Sequence, residues 1–368
     1  MKIALIIFPI HPSHGCILQT FALQQVMLHA GHEVTIIDRK WDKPSILSNF
    51  KDLVNVLIKR ICGKEAYLKS KIDKLLMTEL DRFVDACIKN RKVYYTNPGF
   101  DELKDFEAFI VGSDQTWRPK YVSDVTYYYL GFIPKDANVK RIAYAPSFGT
   151  DEWEYSPELT ATCKYLIERF DAVSVREESG VSLCKDHYCI DAEHVLDPTM
   201  LLTKEDYLAA CGLEMRDEDI LSYYLLDNSE SKMAIVRQVC SELNLQGNRV
   251  NTETENPSAP IKQRVAPSIE KWIGGFAHSK FIIADSFHAT VFAILFNKPF
   301  ITIANTGRGL ARFLSLLSMV GLERRLVFSI DDLTADLINE EIEWNSVNER
   351  FSHKRQLSID FLHNNLNK

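Results

Sequence analysis

Met1-Lys2-Ile3-Ala4-Leu5-Ile6-Ile7-Phe8 opens the chain, followed by Pro9-Ile10-His11-Pro12-Ser13-His14-Gly15. The run Ile3–Phe8 is continuously apolar, as a β-strand covered on both faces requires. It is too short for a signal peptide and lacks a small-residue cleavage site, so it reads as a buried strand. Leu18, Phe21, Ala22 and Val26 then recur at helical spacing up to Gly31, and Val34–Ile37 is a second buried strand ending at Asp38. A strand–helix–strand start of this kind builds a parallel sheet with helices on its faces.

The same grammar continues along the chain. Strands are expected at Phe106–Val111, Arg141–Ala145 and Ala172–Val175, each ending in a short polar turn. Between the opening unit and these strands, Ile46–Asn90 has one glycine and no proline and reads as two amphipathic helices inserted over the sheet. Asp197-Pro198-Thr199 breaks the pattern. A second series follows, with strands at Ile220–Leu226, Phe281–Ala284 and Phe300–Ile303 and helices at Ser231–Leu243 and Phe287–Phe296. The fold class is therefore α/β with two Rossmann-like domains in tandem, residues 1–198 and 199–368. The insertion, about 46–90, belongs to the first. Thr252–Pro267, with three prolines, reads as a surface loop, and a last helix, roughly Asn348–Leu366, packs back on the first domain. Two such domains place the ligand cleft between them, at the carboxyl ends of their strands.

Composition narrows the function classes. The 368 residues are 46% hydrophobic and 25% charged, which excludes a disordered chain, and the net charge of −7 gives no global attraction for nucleic acid. Eight cysteines form no C-x-x-C pair, which argues against a zinc ribbon or a disulfide scaffold and fits a reducing cytoplasm. No apolar run reaches the ~20 residues of a membrane span. A cytoplasmic protein is expected, with at most peripheral contact at the inner face of a membrane. The sequence leaves the oligomeric state open.

Candidate site residues follow from the strand ends. Asp285-Ser286-Phe287-His288 lies where a strand gives way to a helix. Ser286 suits the N-cap, and free N–H groups with the helix dipole favour a phosphate or carboxylate beside Phe287 and His288. His288 there is an anion donor, a general acid or a structural histidine. Arg176, at the end of a strand, suits bidentate binding of an anion or an ion pair with Glu177 or Glu178. Lys298, Arg308 and Arg312 flank the strand Phe300–Ile303 and extend the basic side. The opposite loops, His11, His14 and Gly15 with Ser113, Asp114, Gln115 and Trp117, combine imidazole, hydroxyl, carboxylate, amide and indole groups that suit a sugar. The first loop lacks the three glycines of a dinucleotide fingerprint, which argues against an NAD enzyme. Asp217-Glu218-Asp219 precedes a strand, at the wrong end of the sheet for a metal pair, and no metal site is expected.

Five stretches, in order, resemble the polysaccharide pyruvyl transferases: Gly15-Cys16-Ile17-Leu18-Gln19-Thr20-Phe21-Ala22-Leu23-Gln24, Val111-Gly112-Ser113-Asp114-Gln115-Thr116-Trp117, Val173-Ser174-Val175-Arg176-Glu177, Leu196-Asp197-Pro198-Thr199 and Asp285-Ser286-Phe287-His288-Ala289-Thr290. The chain departs from that family at Ser13-His14-Gly15, where Asn-Tyr-Gly is frequent, and at Ala289, usually glycine. The resemblance implies a GT-B-like fold, phosphoenolpyruvate as co-substrate with no further cofactor, and a sugar of a polysaccharide or its lipid-linked precursor as acceptor. It matches Arg176 and His288 to the family's essential arginine and histidine. On that reading Arg176, Ser286, Phe287, His288, Lys298, Arg308 and Arg312 face the donor. His11, His14, Gly15, Ser113, Asp114, Gln115 and Trp117 face the acceptor, and Asp114 or Asp285 accepts the hydroxyl proton. The rivals are a nucleotide-sugar glycosyltransferase and a non-enzymatic glycan-binding protein of the same fold.

Overall fold

A computed structural model describes residues 1–40, 46–62, 66–254, 256–305 and 309–367. The first sheet holds seven parallel strands, β1 (Lys2–Ile6), β2 (Glu33–Arg39), β3 (Arg91–Tyr94), β4 (Ala108–Val111), β5 (Lys140–Ala143), β6 (Ala172–Val175) and β7 (Glu193–His194). Their order is β3-β2-β1-β4-β5-β6-β7. The second sheet holds β8 (Glu218–Tyr224), β9 (Gln246–Arg249), β10 (Ser279–Ala284), β11 (Phe300–Ile303) and β12 (Leu326–Val327) in the order β12-β11-β10-β8-β9, again parallel. The architecture is α/β with two Rossmann-like sheets in tandem. Pro198 lies in the segment that joins them.

The central strands are apolar because both faces are covered: Ile3, Ala4, Leu5 and Ile6 of β1 have no solvent exposure. The edge strands β3, β7, β9 and β12 escape a hydrophobic reading because an edge carries polar side chains or is very short. In each sheet the order reverses once, between β1 and β4 and between β8 and β10. A doubly wound sheet opens its crevice at such a reversal.

Helix α1 (His14–His29) follows β1 and is buried on nearly all sides. One flank lies on the first sheet and the other on the second domain. Helices α2 (Ile46–Ile61) and α3 (Lys69–Cys87) form the expected insertion. Phe83 of α3 packs on Phe21 of α1. The segment Thr252–Pro267 lies largely at the surface, as expected, and both Pro257 and Pro260 are exposed. Its end tucks in: Ile261 and Ala266 are buried, and the Ala266 N–H donates to the Leu76 carbonyl of α3 at 3.4 Å, which ties the segment to the first domain.

In the second domain, α4 (Ile269–Ala277) and α5 (Phe287–Leu295) face α1, and α6 (Leu310–Val320) follows the glycine-rich turn after β11. The last helix, α7 (Trp344–Asn367), returns to the first domain. There Lys140 donates to the carbonyls of Asn365 and Leu366, and Ser358 accepts from the Leu196 N–H at 3.0 Å. One continuous apolar core includes Leu5 and Ile110 of the first sheet together with Phe21, Tyr207, Trp272 and Phe292. The two domains therefore share a core and are not merely tethered.

His14 is a polar member of that junction. Its ring stacks on Trp272 at 5.2 Å, and Nε2–H donates to the Pro267 carbonyl at 2.9 Å. Burial pushes its pKa down from 6.5 to about 4, so the folded protein holds it neutral, while the unfolded chain protonates it near 6.5. The stability it contributes is complete above pH 6.5 and is lost as pH falls toward 4. The loss amounts to roughly 3 kcal/mol at 1.36 kcal/mol per pH unit. Urea unfolding across this range should show the decline, and His14→Gln should flatten it. An equal slope in both proteins would place the pH dependence elsewhere.

Candidate functional site

A cleft of about 710 Å³ separates the two sheets. It is lined from four strand ends: the loop after β1 (His11, Gly15), the turn after β4 (Asp114, Gln115), the end of β8 (Tyr224, Leu226) and the turn after β10 (Asp285 to His288). These are the two points of strand-order reversal, one from each sheet, facing each other. Leu76 of α3 and Arg312 of α6 complete the rim.

Beneath the cleft lies a charged cluster closed to solvent. The Asp197 carboxylate, just ahead of the Pro198–Met200 turn, accepts from the Gln19 amide of α1 and from Arg176 Nη1 at 2.8 Å. It also accepts from the N–H and hydroxyl of Thr199 at 2.9 and 2.6 Å. Its Oδ2 is 3.7 Å from Nε2 of His288 in the second domain. Burial alone would raise this carboxyl, but His288, Arg176 and Thr199 outweigh it and hold Asp197 far below the usual carboxylate range. Asp197 and Gln19 are the residues that sequence reasoning missed. The signals were present, as a lone acid before proline with Thr199 two positions on, and as a glutamine beside Thr20 in a largely apolar helix.

Arg176 is fully buried and carries three carboxylate neighbours: Asp197, Asp114 at 3.8 Å and Glu177 at 3.9 Å. Its guanidinium lies over the Phe287 ring at 5.3 Å, and Arg312 lies over the same ring at 5.7 Å. Among the described residues, Nε and Nη2 of Arg176 have no hydrogen-bond partner. Burial, and then the Arg176 charge, push Arg312 down to about 10. Of the two guanidiniums, Arg312 borders the cleft and Arg176 sits behind it. The buried Glu177 uses Oε1 to accept from Ser147 and from the N–H groups of Phe148 and Gly149. It thereby fixes the loop after β5 beneath Arg176.

Ser286 stands at the N-cap of α5, but its hydroxyl makes no capping hydrogen bond. The N–H groups of the first turn thus keep their open face toward the cleft. His288 crosses the domain gap to sit against Gly15. A Cβ at Gly15 would fall 2.5 Å from Cε1 and 2.6 Å from Cγ of the imidazole. Gly15 lines the cleft, and it also gives His288 its seat. Gly309, at φ +96° ahead of α6, makes a second close approach, because a Cβ there would lie 2.6 Å from the Gly149 carbonyl.

The other expected residues divide between the cleft and the rest of the fold. Trp117 is wholly buried, stacked on Tyr129 at 4.6 Å with its N–H on the Tyr128 carbonyl, so it is core and not sugar platform. His14 belongs to the domain junction for the reason given above. Ser113 is buried and accepts from Gln19 at 3.4 Å. Lys298 precedes β11 and pairs with Asp217 at 2.7 Å, at the end of the sheet remote from the cleft. The acidic run Asp217–Asp219 is spent on such pairs, with Asp219 on Lys280. Asp285 borders the cleft, but its carboxylate accepts from Leu226 N–H at 2.7 Å and pairs with Lys232 at 2.6 Å. Asp114, with a φ of 73°, is the more open of the two acids, its side chain 17% exposed. His11 and Gln115 line the cleft, and Arg308 lies outside the described residues.

The family model for polysaccharide pyruvyl transferase matches residues 14–307. No curated protein matches the chain. Among solved structures, the chain is similar to a putative UDP-N-acetylglucosamine 2-epimerase from Listeria monocytogenes (TM-score 0.48, 11% identity, 96% of this chain and 90% of that one). It is also similar to Phytolacca americana UGT2 complexed with UDP-2fluoro-glucose and pterostilbene (0.45, 11%, 97% and 94%). A third is the spinosyn forosaminyltransferase SpnP (0.44, 13%, 97% and 94%).

Two substitutions test the architecture of the cluster. Asp197→Ala leaves Arg176 buried without its closest counter-charge and should destabilise the protein by about 3–5 kcal/mol in urea unfolding. A loss below about 1 kcal/mol would mean that the carboxylate is not the anchor of the cluster. Gly15→Ala should displace the His288 ring, at a cost of roughly 1–3 kcal/mol from overpacking. The ring NMR signals of His288 should shift, and unchanged signals would contradict the close approach.

Proposed function

The chain belongs to the polysaccharide pyruvyl transferase family, and on that premise we propose that it moves the pyruvyl group of phosphoenolpyruvate onto a sugar of a polysaccharide or its lipid-linked precursor. The observation that carries the reading is the meeting, on one side of the cleft, of the α5 N-terminus, His288 and Arg312, with Arg176 directly behind. Phosphoenolpyruvate brings a phosphate and a carboxylate, and this side offers N–H groups and guanidiniums to both.

In the proposed chemistry, His288 gives a proton to C3 of the enol, and C2 becomes an oxocarbenium. A sugar hydroxyl adds to C2 and loses its proton. The C2–O bond to phosphate breaks, and a second hydroxyl of the sugar closes the cyclic ketal with loss of its own proton. The products are the pyruvate ketal and inorganic phosphate. We assign the first hydroxyl proton to Asp114, which faces the cleft, while the Lys232 ion pair and the Leu226 N–H keep Asp285 as a positioning residue for the turn that carries His288. His11 and Gln115 lie on the acceptor side with Asp114. Asp197, held ionised, fixes the orientation of Arg176 and faces His288 Nε2.

Phosphate release from phosphoenolpyruvate in the presence of a glycan acceptor tests the reading. His288→Ala should lower kcat by about 10²–10⁴-fold, the usual share of a general acid. Arg312→Ala should instead raise the KM for phosphoenolpyruvate by roughly 10-fold or more, since each charge-assisted hydrogen bond is worth about 1.5–3 kcal/mol. Near-normal turnover of His288→Ala would remove its catalytic role. Stabilisation by a nucleotide sugar but not by phosphoenolpyruvate would favour a glycosyltransferase, and glycan binding without phosphate release would favour a binding protein.

A further inference from the structure

Helix α2 presents an apolar face that no described part of the chain covers. Phe50, Leu53, Val54, Leu57, Ile58 and Ile61 recur at the spacing of one helical stripe. Leu57 is 50% exposed and Ile61 84%, values far outside the range of a packed helix face. The opposite face is the one that docks. Val56 is buried, and Asp52 accepts from the Lys69 N–H at the start of α3 at 2.8 Å. At about 100° per residue, Lys51 and Arg60 fall on the two borders of the exposed stripe. Their stems can lie along apolar surroundings while their charges stay at the polar boundary.

The charge around this helix is opposite to that of the whole chain. Residues 46–74 contain seven Lys and Arg against three Asp and Glu, in a protein of net charge −7. An exposed apolar stripe bordered by cations matches an anionic bilayer surface, where the apolar side chains enter the acyl boundary and the cations meet the headgroups. A second copy of the same helix would set those cations against each other. The location is also informative. Asp52 holds the N-terminus of α3, and Leu76 of α3, about 10 Å further along that helix, lines the cleft.

We propose that α2 is a membrane-seating helix that docks the protein, through Phe50, Leu57, Ile58 and Ile61, on an anionic lipid surface beside the mouth of the cleft. On the pyruvyl-transfer reading this places the cleft where a lipid-linked acceptor presents its sugar. The docking itself is measured without any substrate, so its failure is separate from failure of that reading.

Flotation of the full chain with vesicles tests it. The protein should rise with vesicles containing phosphatidylglycerol, remain behind with pure phosphatidylcholine, and be released at high ionic strength. Leu57→Asp with Ile61→Asp, both at exposed positions, should lower the bound fraction roughly tenfold while circular dichroism stays unchanged. Should that pair misfold, Lys51→Glu with Arg60→Glu gives the independent reading and should abolish the preference for anionic vesicles. No flotation of the wild type with phosphatidylglycerol vesicles would overturn the proposal. So would equal flotation of a folded variant, or a wild-type dimer that the Leu57 and Ile61 changes dissociate while vesicle binding is absent.

Discussion

The burial of one carboxylate, Asp197, constrains the site more than any other feature. A charge taken out of water is tolerated only when its lone pairs are met. Here the two groups of Thr199 meet Oδ1, the Gln19 amide and Arg176 meet Oδ2, and His288 faces Oδ2 as well. Those partners come from the first helix, the end of β6, the interdomain segment and the second domain. Satisfying one carboxylate thus fixes the relative placement of four parts of the chain. It also explains the depth of Arg176, which is a counter-charge first and only then a neighbour of the cleft.

The cleft above this cluster follows from strand order. Each sheet reverses its winding once, and each reversal parts the loops on either side of it. With the two reversals facing each other, short turns from four strands share one space. This arrangement brings His288 to Gly15, 273 positions away in the chain, at a distance that only a glycine allows. The histidine is therefore positioned by the absence of a side chain in the other domain.

The domains are bound more firmly than a hinge would be. Phe21, Tyr207, Trp272 and Phe292 belong to one core, and His14 adds a stacked ring and a hydrogen bond across the junction. Large rotation would expose that core to water, at about 25 cal/mol for each Å² of apolar surface. The geometry of the charged cluster is accordingly preorganised, and access to the cleft falls to its rim, where α3 and α6 contribute Leu76 and Arg312.

The central strands were legible in the sequence because two-sided burial demands unbroken apolar runs, and Ala172–Val175 and Phe300–Ile303 lie where those runs place them. The insertion and the returning last helix were legible for the matching reason, that amphipathic periodicity survives without tertiary knowledge. The edge strands β3 and β9 were not, since Arg91–Tyr94 and Gln246–Arg249 are polar where a sheet meets solvent. Among the site residues, position after a strand correctly put Asp114, Gln115 and His288 at the cleft but could not separate them from Trp117, which folds back into the core. Lys298 was misplaced because it precedes its strand, and the two ends of a strand are the two opposite edges of the sheet. What the sequence by itself determined is the element grammar and the set of polar turns. Which turn meets which, that Asp197 is the acid they close upon, and that His14 serves the junction were decided only by the tertiary structure, because desolvation and contact belong to the packed chain and have no value residue by residue.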